Sequence, residues 1–160
     1  MFIITTFEEQ HKESVIRLIL HIQRNEFSVP ITLDDQPDLT TIPDFYQQKN
    51  GNFWVASEDG RVVGTIALID CGDGIGCIRK MFVHAGYRGK EKGVAQQLLN
   101  TMETWAVQHG FAALYLGTIE RFQAAMHFYA KNGYRLIARE KLPATFPRMV
   151  LDTHFFVKNL

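Results

Sequence analysis

The chain is poor in cysteine, has no net charge and lacks any apolar run long enough to cross a bilayer. Only Cys71 and Cys77 occur among its 160 residues. Set close together among glycines, they match neither a zinc-ligand spacing nor a disulfide framework. No metal site is expected, and the two thiols point to a reducing compartment rather than a redox role. Lys plus Arg and Asp plus Glu are equal at 17 each. That balance argues against a nucleic-acid or membrane-surface binder, which would carry a basic excess, so any recognition of an anion must be local. No stretch approaches the roughly 20 apolar residues of a membrane span. The opening "MFIITTFEEQ" has neither the basic region nor the long apolar core of a signal peptide, and a cytoplasmic protein is expected. Proline is also scarce at five, but Pro30, Pro37 and Pro43 gather in one segment, "EFSVPITLDDQPDLTTIPDF".

Around these absences the patterning is regular. Phe2–Thr6 reads as a strand. From Glu8 to Asn25, Val15, Leu18, Ile19 and Ile22 recur at helical spacing. The proline-bearing segment predicts a loop with a short helix near Asp38–Gln48, since proline removes a donor and breaks helices. "NFWVASEDGRVVGTIALI" is a hairpin turning at Asp59-Gly60. After Gly72, Gly74 and Gly76, a strand spans Cys77–Val83. Val94, Ala95, Leu98, Leu99, Met102, Trp105 and Ala106 then trace a helical stripe ended by Gly110. A strand follows at Ala112–Thr118. A helix from about Ile119 to Asn132 is expected to be capped by Thr118 and ended by Gly133. "YRLIARE" and "RMVLDTHFFV" supply two last strands. No repeat, low-complexity tract or linker is visible, so residues 1–160 read as one domain with a mixed sheet and helices on its faces.

"YRGKEKGVAQQLL" (Tyr87–Leu99) joins a cationic, glycine-bearing turn to the start of a helix. A helix start offers unpaired N–H groups and the positive end of its dipole, and anions collect there. Gly89 and Gly93 let the backbone approach a ligand, and Arg88, Lys90 and Lys92 outweigh Glu91. A pyrophosphate suits such a turn. A solvated charged turn that simply caps a helix is the plainer alternative. Neither G-x-x-x-x-G-K-[ST] nor G-x-G-x-x-G with a later acidic residue is present, which disfavours nucleotide hydrolases and dinucleotide dehydrogenases.

Read together, "IRKMFVHAGYRGKEKGVAQQLL", "LYLGT" and "AAMHFYAKNGYRLI" resemble the GNAT superfamily of N-acetyltransferases. The resemblance implies a single α/β domain: a mixed, mostly antiparallel sheet of about seven strands, helices on both faces, and a splayed strand pair around the cofactor. The family's R/Q-x-x-G-x-G/A turn, which wraps the pyrophosphate of acetyl-coenzyme A, maps onto Arg88, Glu91 and Gly93. Glu91 stands where a glycine is usual and is expected to offer only its N–H, its side chain turned to solvent. The implied cofactor contacts are the main-chain groups of Met81, Phe82 and Val83, and the turn Arg88, Gly89, Lys90, Glu91, Lys92, Gly93, Val94 and Ala95. Gly117 suits the facing strand, where a ligand backbone comes close.

Tyr129 matches the tyrosine whose hydroxyl lies near the coenzyme sulfur. A phenol of pKa about 10 can protonate a departing thiolate of pKa about 8.5; an aromatic packed inside the helix is the alternative. Phe122 stands where the family often has an asparagine, and Cys77 where it often has a glutamate. A primary ammonium of pKa near 10.4 is almost wholly protonated at pH 7, so a general base is needed. Glu120, His84, His127 and Asp152 are the candidates. Arg79, Lys80 and Arg148 are candidates to meet an acidic substrate, with at least two of them expected to face solvent instead. The implied partner is a small-molecule or peptide amine; nucleic acid and membrane are not expected, and a homodimer is left open. A non-catalytic acyl-coenzyme A sensor, or a plain α/β domain for another phosphate, are the rival readings. The acceptor is expected to depend on the proline-bearing segment and on Arg139–Arg148.

Overall fold

The computed structural model describes residues 1–160. Its strands are β1 (Ile3–Thr6), β2 (Asn52–Glu58), β3 (Arg61–Asp70), β4 (Ile75–Val83), β5 (Ala113–Thr118), β6 (Arg135–Ile137) and β7 (His154–Asn159). They form one seven-stranded sheet in the order β1-β2-β3-β4-β5-β7-β6. Only β4 and β5 run parallel; the other neighbours are antiparallel. The helices are α1 (Lys12–Leu20), the single turn α2 (Ile42–Phe45), α3 (Val94–Gln108) and α4 (Gln123–Lys131). The expected mixed sheet with helices on both faces is the fold observed.

Strand alternation sorts the core into two layers. Trp54 and Ala56 of β2 join Val94, Leu98, Leu99 and Met102 of α3 and Tyr129 of α4. Phe53 and Val55 point the other way, onto Val15, Leu18 and Ile19 of α1 and onto Leu39, Ile42 and Tyr46 of the proline-bearing segment. Gly64 lets α3 lie close on β3, since a Cβ there would come 2.9 Å from Leu98 Cδ1. The Asp59-Gly60 turn has positive φ at both residues, 52° and 77°, as its chemistry predicts.

Boundaries differ from expectation where proline or a bulge intervenes. The first helix continues past Leu20 as a π-helical turn, His21–Glu26. The proline-bearing segment holds a 3-10 turn, Pro37–Leu39, and the single turn of α2 rather than one helix. Thr118 ends β5 and does not cap α4; Phe122 holds that position without a side-chain bond. The last two strands are shorter than predicted. A 3-10 turn at Arg139–Lys141 follows β6 after Ile137, and a turn in which the Asp152 N–H donates to the Met149 carbonyl precedes β7, which begins only at His154.

The fork that defines the site lies between β4 and β5. They pair from Ile75 with Ala113 to Ile78 with Leu116, and then part. Just past that point the β3–β4 register slips between Thr65 and Ala67, with Lys80 at φ 54°. The buried Thr65 hydroxyl holds this bulge by donating to the Lys80 carbonyl at 2.6 Å. Met81–Val83 therefore run on with no strand beside them on the β5 side. No helix is long and apolar enough to cross a membrane.

Candidate active site

α3 starts from Gly93 in the left-handed region, φ 72° and ψ 8°, with no side chain capping it. A glycine adopts that geometry without the penalty a Cβ brings. The N–H groups of Lys92 and Gly93 both turn back to the Gly89 carbonyl at 3.2 Å. The amides of Gly89, Lys90, Glu91, Val94, Ala95 and Gln96 donate to no acceptor of the chain. This is a run of main-chain donors at the positive end of a 15-residue helix. Lys90, Glu91 and Lys92 are exposed, so the Glu91 carboxylate lies in solvent.

Arg88 behaves differently from the two lysines. Its Nε donates to the Val83 carbonyl at 2.8 Å, and Nη2 donates to Glu26 Oε1 at 2.8 Å while Nη1 engages the other carboxylate oxygen. The hydrogen bond from Arg88 holds the Glu26 carboxyl below its ordinary range. Arg88 is thus a strut tying the turn to the end of β4 and to the π-helical turn, and its side chain is already engaged. His84 braces the same turn, its Nδ1 accepting from the Gly86 N–H at 3.0 Å.

Tyr129 packs its ring in the core, 5.5 Å from Tyr134 and 6.4 Å from Phe156 between centroids. Its hydroxyl donates to no protein acceptor. Since no polar side-chain atom of the chain is both buried and unpartnered, that oxygen borders accessible space. Burial pushes its pKa up. Phe122 meets Phe27 edge-on at 5.0 Å and Phe82 at 6.2 Å, and Arg121 donates to the Ser28 carbonyl at 2.8 Å. Where the family often has an amide, this chain has an aromatic clasp joining the end of β4 to the segment after the first helix.

The sheet face away from α3 carries the charged groups. The bulge turns Lys80 inward, where Nζ donates to Gln36 Oε1 at 2.6 Å and lies 3.4 Å from Asp38 Oδ2. Tyr46 donates to the same Asp38 oxygen at 2.6 Å, and Gln36 exchanges hydrogen bonds with Gln23. Burial pulls the Lys80 pKa down to about 8, against the pull of Asp38. Arg79 is half-buried, and its guanidinium has no hydrogen-bond or ion-pair partner in the chain. Of the three cations considered for an acidic substrate, only Arg148 is fully exposed; the expectation that two would face solvent fails, because the bulge redirects β4.

Asp152 precedes β7 and lays its carboxylate against Gly117 of β5, just beyond the fork. A Cβ on Gly117 would come 2.9 Å from Asp152 Cγ. The carboxylate accepts no hydrogen bond from the chain. Burial pushes its pKa up to about 6, against the opposing pull of Arg79, Lys80 and Arg139. Glu120 and His127 are exposed and His84 is engaged in its turn, so among the four candidate bases Asp152 is the one placed at the fork. Cys77 is fully buried against Leu142, Phe146 and Phe155, and burial pushes its thiol up.

The raised carboxyl has a stability consequence. Folded Asp152 binds its proton more tightly than the unfolded chain does, so stability is lost as pH rises from the ordinary 3.8 through about 6. Asp152→Asn should therefore stabilise the chain at pH 7 by about 3 kcal/mol at most, less the share that solvent screens. Urea unfolding at pH 7 and again below pH 4, where the gain should vanish, checks both magnitude and sign.

The profile of the acetyltransferase (GNAT) family matches residues 16–134. The chain belongs to this family. A GNAT-family acetyltransferase of Staphylococcus aureus Mu50 is 38% identical, superposes with a TM-score of 0.95 and shares 99% of both chains. The PaiA N-acetyltransferase of Thermoplasma acidophilum, solved in complex with coenzyme A, superposes at 0.76 over 100% of this chain and 99% of that one, with 14% identity; that likeness is one of fold. The N-acetylaspartate synthetase of Danio rerio is 32% identical over 124 residues, 74% of this chain and 43% of its own length. This GNAT chain thus spans less than half the length of the first curated relatives it matches.

Proposed function

We propose that this GNAT chain transfers an acetyl group from acetyl-coenzyme A to a primary amine of a small molecule or peptide, by direct attack in a ternary complex. The observation that carries this reading is the set of unsatisfied amides of Gly89, Lys90, Glu91, Val94, Ala95 and Gln96 at the start of α3, with the exposed side chains of Lys90 and Lys92 beside them. These donors fit a diphosphate, which helix N-termini hold through N–H groups and dipole together. Coenzyme A in the PaiA structure supports the ligand assignment, and the relatives named N-acetylaspartate synthetase support a small amino-acid-like acceptor.

Each residue then has a task. Gly89–Ala95 hold the diphosphate through the main chain, with Arg88 keeping the turn in place. Met81, Phe82 and Val83 offer backbone groups along the open edge of β4, where an extended ligand can lie as a strand would. When bound, acetyl-coenzyme A supplies a thioester whose carbon–sulfur bond breaks as the new carbon–nitrogen bond forms. The Tyr129 hydroxyl, protonated at neutral pH and unpartnered within the chain, is the donor offered to the sulfur.

Heat-stabilisation by acetyl-coenzyme A, followed by amine-dependent thiol release, tests the reading. Stabilisation and release together are expected. Stabilisation without release for any amine would leave a binding module, and neither would overturn the assignment.

A further inference from the structure

We propose that Arg79 and Asp152 form the acceptor's receptor, and that the acceptor is an amine that also carries a carboxylate. The inference rests on the acetyl-transfer reading above. It takes the guanidinium as the seat of the acceptor carboxylate and the Asp152 carboxylate as the group that receives the ammonium proton.

Placement comes first. Arg79 is the residue after Ile78, where β4 and β5 stop pairing, and Asp152 lies against Gly117, the residue after Leu116 on the other prong. The two groups therefore flank the mouth of the fork on the sheet face opposite α3. Arg79 also feels Tyr46, Cys77 and Asp38, and Asp152 feels Lys80 and Arg139. The walls are thus the proline-bearing segment and the loop before β7.

Charge accounting comes next. Lys80 is cancelled by Asp38, with Gln36 and Tyr46 completing its shell. Arg139 donates to the Asp152 main-chain carbonyl at 3.3 Å and lies over the Phe155 ring. That leaves the Arg79 guanidinium and the Asp152 carboxylate as the cation and anion whose charged groups make no hydrogen bond within the chain and no ion pair with each other. Partly withdrawn charges without partners are costly, so such a pair is unexpected in a merely structural role. A guest bearing a carboxylate and an ammonium satisfies both at once. Guanidinium matches a carboxylate through two parallel hydrogen bonds. A polyamine or an internal lysine would instead bring a second cation against Arg79.

The step balances. The acceptor ammonium gives a proton to the Asp152 carboxylate, and the freed nitrogen lone pair forms the bond to the acyl carbon. The carbon–sulfur bond breaks and the sulfur takes a proton from Tyr129. The second proton of the attacking nitrogen leaves as the amide forms and restores the Tyr129 phenol by way of water, while the proton on Asp152 passes to solvent, so one proton is released per turnover. Burial places the Asp152 carboxyl where it can take that proton near neutrality.

The test uses the purified chain with acetyl-coenzyme A, measuring thiol release with aspartate, glutamate, other amino acids, their methyl esters and polyamines. Carboxylate-bearing amines are expected to turn over, with the esters about 30-fold poorer in kcat/KM. Arg79→Gln should raise the acceptor KM about 30-fold, and Arg79→Lys less. The acetyl-coenzyme A dissociation constant from calorimetry should stay unchanged in both, which also shows that they fold. Asp152→Asn should lower kcat and abolish the fall in rate below about pH 6. Esters or polyamines acetylated as well as the acids, or an unchanged KM in Arg79→Gln, would overturn the proposal. So would the failure of every carboxylate-bearing amine in a chain that binds acetyl-coenzyme A. Failure to bind acetyl-coenzyme A at all would instead overturn the acetyl-transfer reading itself.

Discussion

Tyr129→Phe is expected to lower kcat about 1000-fold and to leave both acetyl-coenzyme A affinity and stability nearly unchanged. The ring makes the packing contacts with Tyr134 and Phe156, and phenylalanine keeps them. The hydroxyl donates to nothing in the chain, so its removal orphans no partner and incurs no desolvation penalty. What disappears is the proton donor to the sulfur. A thiolate leaving from a partly apolar fork without a proton is a poor leaving group, and water reaches it less readily than a fixed phenol. Single-turnover thiol release isolates the chemical step, and calorimetry reports binding. An unchanged rate would reduce Tyr129 to a core aromatic.

Asp38→Ala should destabilise the chain by about 3–5 kcal/mol, because it leaves Lys80 buried without its counter-charge. Tyr46 loses its acceptor in the same substitution. The pH dependence has a definite sign. Folded Lys80 already holds its proton less tightly than the ordinary 10.5, with a pKa near 8. The unfolded chain therefore binds more protons between those values, and stability rises with pH across that window. Without Asp38 the folded pKa falls further, so the rise should begin at lower pH and be larger. Urea unfolding at pH 7 and pH 9 measures this. The double variant Asp38→Ala, Lys80→Met should recover most of the loss, as apolar replacements of buried pairs do. A loss under about 1 kcal/mol in the single variant would show that Lys80 finds water instead.

Local chemistry made some parts legible in the sequence and hid others. The Asp59-Gly60 hairpin and the α3 stripe from Val94 to Ala106 are short-range features, and each is where its residues predict. The open turn is likewise one continuous stretch, which is why a motif can carry it. The β4 bulge is different: it depends on Thr65 reaching Lys80 across the ladder, and nothing in "CIRKMFV" announces a residue at positive φ. Because of that bulge Lys80 turns inward to Gln36, 44 residues away in sequence, a partnership no spacing rule could find. Asp152 was one of four base candidates of equal standing by sequence. Only the fold, by laying it on Gly117, separates it from Glu120, His84 and His127. Arg88 illustrates the converse: the motif names the residue, but its side chain braces Val83 and Glu26 rather than reaching toward a ligand.

The measurement that bears most directly on the account is a crystal structure of the chain with acetyl-coenzyme A. The expected result places diphosphate oxygens within about 3.2 Å of main-chain nitrogens between Gly89 and Gln96, with the pantetheine arm lying along Met81–Val83 toward the Tyr129 hydroxyl. A diphosphate seated elsewhere, with those amides facing only water, would contradict it.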